Sequence, residues 1–160
     1  MLVSKFLKEQ IKKDIYEYIR ANGVMTLATQ SSSGPWACTV YYGIDSNMNL
    51  YIVTDPDSVH GKNIQKNNEI AFNIYDSHQK IDKPKKGVQG KGRIEMVRGV
   101  LSVTKGLMLW HKQNPGVEKK LTVREVKKFK DTKVYKITPY FLKYFNKSLY
   151  PDTEYEIWEK

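Results

Sequence analysis

"LYIVTDPDSVHGKNIQKNNEIAFNIYD" (residues 50–76) holds the turning point of this chain. Residues 50–53 are a short apolar, β-prone run that stops at Thr54. Asp-Pro-Asp-Ser then breaks the strand. Residues 58–66 read as a short helix, with modest periodicity from Val59, Asn63 and Ile64. Residues 69–76 alternate, with Ile70, Phe72 and Ile74 on one face and Ala71, Asn73 and Tyr75 on the other. That is the pattern of a half-buried strand. The polar residues between the two strands are the ones with chemistry to offer. Ser58 stands at an N-cap position, where its hydroxyl accepts from the backbone N–H of residue 60 or 61. The free N–H groups and the positive end of the helix dipole favour an anion. Lys62 adds a cation, His60 a donor that titrates near neutrality, and Thr54 a hydroxyl at the strand end. The same letters also describe a capped helix with solvent-exposed basic residues. Read by themselves, they leave both possibilities open.

Upstream and downstream, short β-prone runs continue. Residues 24–30 and 36–44 are joined by "SSSGP", which is turn chemistry, and 50–54 follows across "DSNMN". "GVQGKGRIEMV" (87–97) is a longer strand with interior glycines, which mark a bulge, a bend, or close approach by a backbone or ligand. Residues 133–146 form a final long strand in which Pro139 predicts an edge or a bend. Before the strands, Leu7, Ile11, Ile15, Tyr18 and Ile19 recur at helical spacing, so residues 1–21 form an amphipathic helix ended by Asn22-Gly23. It is expected to pack on the sheet or to cover a partner subunit. Residues 102–113 and 117–130 are helical by pattern, which makes 99–130 a helical insertion. About six strands with short connections predict a mainly β domain: an antiparallel barrel with peripheral helices, spanning 1–160 as a single unit.

Composition narrows the function. The chain has 160 residues, is 40% hydrophobic and carries a formal charge of +10. Such charge attracts nucleic acid or anionic membrane. Here, however, the basic residues are spread along the chain, with clusters at 83–86 and 119–130, and lack the aromatic interleaving of a strand-binding platform. Neither nucleic acid nor membrane is expected as a partner. No apolar stretch approaches the roughly 20 residues of a membrane span, and no secretory signal is expected. Cys38 is the only cysteine, which excludes an internal disulfide and fits a reducing cytoplasm. His60, His78 and His111 are the only histidines and are not spaced as metal ligands, so no metal site is expected. Trp36, Tyr41, Tyr42 and Trp110 offer rings that can fill a core or stack on an aromatic ligand.

The order of these pieces resembles the pyridoxamine 5′-phosphate oxidase-like family, the flavin-binding split barrels. The resemblance covers roughly residues 20–98, and its most specific parts are "SVHGKNIQKNNEIAF" (58–72) and "GVQGKG" (87–92). It implies a split-barrel homodimer that binds FMN in a groove between subunits. Ser58, His60 and Lys62 would then hold the flavin phosphate, with Val53 and Thr54 beside the ribityl chain. The backbone of Cys38, Thr39, Val40 and Tyr41 would run along the isoalloxazine edge, and Gln89 would reach the cofactor from its strand.

By the same resemblance, the chain would be an FMN-dependent oxidoreductase acting on an unidentified small molecule, with NAD(P)H as a candidate electron donor. The alternative is a flavin- or haem-binding protein for carriage or sensing; deazaflavin and haem are the lesser cofactor expectations. Val59 and His60 depart from the family pattern, where arginine or lysine often stands, and leave Lys62 as the main permanent cation. True pyridoxamine phosphate oxidases end in an arginine-containing segment. This chain has no arginine beyond Arg124, so vitamin B6 oxidation is not expected.

Overall fold

The alternation in 69–76 is realised as strand β4 (Glu69–Tyr75), with Ile70, Phe72 and Ile74 buried and Ala71 and Tyr75 exposed. The structure is a computed structural model describing residues 2–116, 118, 119, 121–128 and 132–160. Ahead of β4 come helix α1 (Leu2–Ala21), strands β1 (Val24–Ser31), β2 (Gly34–Ile44) and β3 (Leu50–Thr54), and helix α2 (Val59–Lys66). After it come β5 (Lys86–Met96), α3 (Val100–Gln113), α4 (Val123–Lys128), β6 (Lys133–Asn146) and β7 (Tyr155–Glu159).

All strand pairs are antiparallel, in the order β3-β2-β1-β4-β5-β6-β7, and an added β3–β6 pairing closes the first six into a barrel. The expected count of six is corrected to seven. β6 is much longer than β3 and uses only Lys133–Ile137 to pair with it; β7 occupies the same edge further along, opposite 141–145. In β7 exposed and half-buried residues alternate, so it has no clean apolar face to announce it.

The inward faces meet in one core that includes Leu27, Tyr42, Leu50, Ile52, Ile74, Val88, Ile137 and Leu142, all 0% exposed. Each such side chain contributes about 1.5–3 kcal/mol on burial. α1 closes one side of the barrel through Ile15 and Ile19, and the Tyr42 hydroxyl donates to the Ile19 carbonyl at 2.7 Å. The glycines of β5 serve packing. A Cβ on Gly90 would lie 2.2 Å from the Phe72 ring, and Gly92 lies at a register shift opposite Pro139, where Tyr140 is the extra residue. The close neighbour is a core ring, and the bend expected of Pro139 is a β-bulge.

α3 begins two residues before its expected start. It lies across the outer side of β2, β3 and β6, where a Cβ on Gly43 would meet the Leu109 carbonyl at 2.3 Å. Beneath it Tyr51, Val103, Leu107, Val126 and Val134 form a second, smaller core. Of the helix expected over 117–130, only α4 is present in the described part; residues 117, 120, 129 and 130 lie outside the described residues. Among the described residues no helix is long and apolar enough to cross a membrane.

Candidate functional site

β2 and β3 pair only through Tyr42–Ile52, Gly43–Tyr51 and Ile44–Leu50. Continuing that register would set Tyr41 against Val53 and Val40 against Thr54, but the strands part there. The Tyr42 N–H faces β1, donating to Gly23 O at 3.3 Å, so strand alternation turns the backbone groups of Thr39 and Tyr41 toward the parting. The Tyr41 carbonyl is taken by the indole N–H of Trp110, at 3.1 Å. Thr39 has no β3 residue opposite it. An open backbone edge therefore faces the carboxyl end of β3.

On the far side of the parting lies the start of α2. Asp55 accepts from the Asp57 N–H at 2.7 Å, folding the 55–57 turn back on the helix. A Cβ on Gly61 would lie 2.4 Å from the Asp55 carbonyl, so glycine is what admits this approach. The Ser58 hydroxyl donates to Asp55 O at 2.6 Å and accepts from the Gly61 N–H at 3.1 Å, which makes it the N-cap. His60 Nε2 lies 2.5 Å from the Thr54 hydroxyl and 3.2 Å from that of Ser58. With the Ser58 proton already on Asp55, the Nε2–H tautomer satisfies both oxygens. Burial holds the His60 imidazole below its ordinary pKa, against a smaller opposing pull from Asp55. Lys62 is exposed one turn along.

Behind this cluster, Tyr135 is 1% exposed on the inner face of β6, paired with Ile52, and its hydroxyl has no hydrogen-bond partner among the described residues. Burial raises its pKa, with Asp55 and Asp57 adding to the effect. Thr54, Ser58, His60 and Tyr135 thus combine hydroxyls, an imidazole and helix N–H groups at one end of the barrel.

The sequence-expected residues divide by strand parity. Thr39 and Tyr41 point outward, whereas Val40 is core and Cys38 packs against the core, where burial raises its thiol pKa. Cys38 and Val40 turn their side chains to the core and their backbone groups to β1, so the parting is faced by the backbone of Thr39 and Tyr41. Val53 packs against the α3–α4 cluster. Gln89 is on the outer face in a row with Asn73, Thr26 and Thr39. It stands three strands from Thr39, about 14 Å at ordinary strand spacing. Gln89 does not join the cluster of its own chain.

The sequence offers the Trp110 ring for the core or for stacking, and its bond to Tyr41 has no sequence signal. The alternation of Tyr135 with Ile137 marks an inward position but carries no signal of an unpaired hydroxyl. Among the described residues no three metal-ligating side chains cluster. His111 Nε2 is bonded to Leu121 O at 2.7 Å, and His78 sits beside Asp76 in an exposed loop.

The sequence profile of the pyridoxamine 5′-phosphate oxidase family matches residues 11–140. No curated protein matches the chain. Solved structures share its fold at low identity. A Clostridium acetobutylicum protein related to general stress protein 26 of B. subtilis, of the pyridoxinephosphate oxidase family, is 16% identical with a TM-score of 0.63, covering 94% of this chain and 95% of that one. The haem-binding protein of Mycobacterium smegmatis is 16% identical with a TM-score of 0.68; 86% of this chain is covered, but only 53% of that one. HutZ, the haem storage protein of Vibrio cholerae, is 12% identical with a TM-score of 0.59, covering 81% of this chain and 89% of that one. With the family profile spanning most of its length and a barrel that parts between β2 and β3, this chain belongs to the pyridoxamine 5′-phosphate oxidase family.

Proposed function

We propose that this protein binds FMN across the parting of β2 and β3 and acts as an oxidoreductase on a small molecule. The observation that carries the reading is the convergence of two binding surfaces: the open Thr39–Tyr41 edge and the Thr54–Ser58–His60 helix start. A strand edge whose Thr39 backbone has no β3 residue opposite it, beside a Tyr41 carbonyl held by Trp110, matches the donors and acceptors of a flavin ring. A helix start with an imidazole and a nearby Lys62 matches a phosphate. The orphan hydroxyl of Tyr135 adds a buried donor behind that helix start. When bound, the flavin supplies the hydride chemistry, and the protein supplies orientation and electrostatics.

A second copy of the chain completes the site in this reading. Val24 and Tyr41 are 40% and 58% exposed on the outer face of β1 and β2, beside exposed Ala37 and Ala71, and Gln89 shares that face. A two-fold partner buries this face and brings its own Gln89 to the groove. Light scattering on FMN-loaded protein is expected to give a dimer; a monomer would remove this part of the proposal.

Haem binding is the second reading, favoured by the named ligands of the Mycobacterium and Vibrio proteins. Against it, the Nε2 atoms of His60 and His111 are already engaged within the chain. The absorption spectrum of the purified protein separates the two. Oxidised-flavin bands bleached by NADH or NADPH support an FMN oxidoreductase, whereas flavin bands that no donor bleaches support carriage or sensing. A Soret band overturns the flavin reading in favour of haem.

A further inference from the structure

Away from the β2–β3 parting, a cavity of about 250 Å³ opens on the outer side of the barrel, below the first turn of α3. Its basic side chains come from separate parts of the chain: Arg98 ahead of α3, Lys105 within it and Lys136 on β6. Lys105 is held in place. Its ammonium lies 3.3 Å from Asp45 Oδ2 and 6.0 Å from the centre of the Tyr51 ring. Asp45 is itself buried and fixed by the backbone N–H groups of Asn47 and Asn49, at 3.0 and 2.9 Å. Its carboxyl stays below the ordinary value: burial raises it, but the hydrogen bonds of Asn49, Lys105 and Asn47 outweigh that.

Arg98 and Lys136 make no ion pair among the described residues. Glu95 stands opposite Lys136 in the strand register but is exposed and beyond ion-pair reach. Cations thus outnumber carboxylates around the cavity, even with Asp45 counted. Concave walls focus such a field more than a flat surface does. Ser102 adds a hydroxyl to the lining, and α3 above it has neither a capping side chain nor an acid in its first turn to offset its dipole.

We propose that this cavity is a binding site for a small, multiply charged oxyanion of the phosphate class, separate from the α2 cluster. Arg98 provides the planar fork, Lys105 and Lys136 the point charges, and Ser102 a neutral donor. The two sites lie on opposite sides of the barrel wall. Tyr51 and Lys136 face outward under α3, whereas Thr54 follows the inward parity of Leu50 and Ile52.

The test is calorimetric titration of the full chain, saturated with FMN so that the α2 start is filled, with inorganic pyrophosphate and with ribose 5-phosphate in low-chloride buffer. Amide NMR is followed at Ser102 and Lys105. We expect one site per chain, shifts at both amides, and affinity about tenfold weaker in Arg98→Gln and in Lys136→Gln. Lys136→Arg should bind as the parent does, and with FMN filling the α2 start, Lys62→Ala should leave this second site unchanged. Tighter binding of pyrophosphate supports a free inorganic anion as the occupant; tighter binding of the sugar phosphate supports a phosphorylated metabolite. No heat and no amide shifts at millimolar ligand, unaltered affinity in both glutamine variants, or a loss confined to Lys62→Ala would each overturn the assignment.

Discussion

The Trp110 indole donates to the Tyr41 carbonyl at 3.1 Å, at the point where β2 leaves β3. Trp110 is 8% exposed and the acceptor lies 69 residues earlier in the chain. A carbonyl that would otherwise pair with β3 is thereby satisfied by a helix, so the parting is stable without a ladder bond.

Trp110→Phe keeps most of the buried ring and removes the donor. It should cost about 1–3 kcal/mol, since the Tyr41 carbonyl loses its partner. Trp110→Ala should cost about 3–5 kcal/mol through the added cavity. Urea unfolding followed by circular dichroism measures both. Equal midpoints for the parent and Trp110→Phe would show that the bond does not hold the strands apart.

Ser58 and Lys62 should separate into different roles. The Ser58 hydroxyl is committed to Asp55 and Gly61, so Ser58→Ala should lower stability by about 1 kcal/mol even without ligand. Lys62 is exposed, and Lys62→Ala should leave stability within about 0.5 kcal/mol. The lysine variant should weaken FMN about tenfold while leaving riboflavin unchanged, because only FMN has a phosphate to lose. Equal losses for FMN and riboflavin would mean that residues 54–64 only start a helix.

His60 carries a pH signature. Its folded pKa is lowered, chiefly by burial, so the unfolded chain takes up the proton more readily. The neutral imidazole therefore contributes its full stabilisation above the ordinary value of about 6.5 and loses it as pH falls from there through the lowered folded value. Unfolding midpoints should decline from pH 7 to pH 5 less steeply in His60→Gln than in the parent. A phosphate beside the ring favours the protonated form, so FMN should bind more tightly near pH 5.5 than near pH 8. Riboflavin should show no such slope.

Gly43 is the contact on which α3 rests. A Cβ there would lie 2.3–2.5 Å from the backbone of Leu109 and Trp110, and backbone cannot rotate away. Gly43→Ala should cost about 1–3 kcal/mol or more and displace the Trp110 indole from Tyr41. Tryptophan fluorescence and thermal unfolding together should register it. A variant with unaltered emission and midpoint would show that α3 slides freely over β2.

What the amino-acid sequence determined was whatever depends on near neighbours. The two-residue period of 69–75 sorted Ile70, Phe72 and Ile74 inward, and the bounds of β3 and β6 coincide with their apolar runs. Ser58 caps α2 across three residues, so cap geometry made it legible, whereas the Thr54–His60 contact was not expected. The tertiary structure decided the rest. β7 exists because β6 outruns β3 and leaves an edge to pair, a matter of relative strand lengths. The parting of β2 from β3 depends on α3 crossing at Gly43 and on an indole arriving from residue 110. Tyr135 alternates like any core residue, and only the packed barrel leaves its hydroxyl without a partner among the described residues. Periodicity encodes which side of a strand is buried; it carries no record of which distant backbone or helix will meet it there.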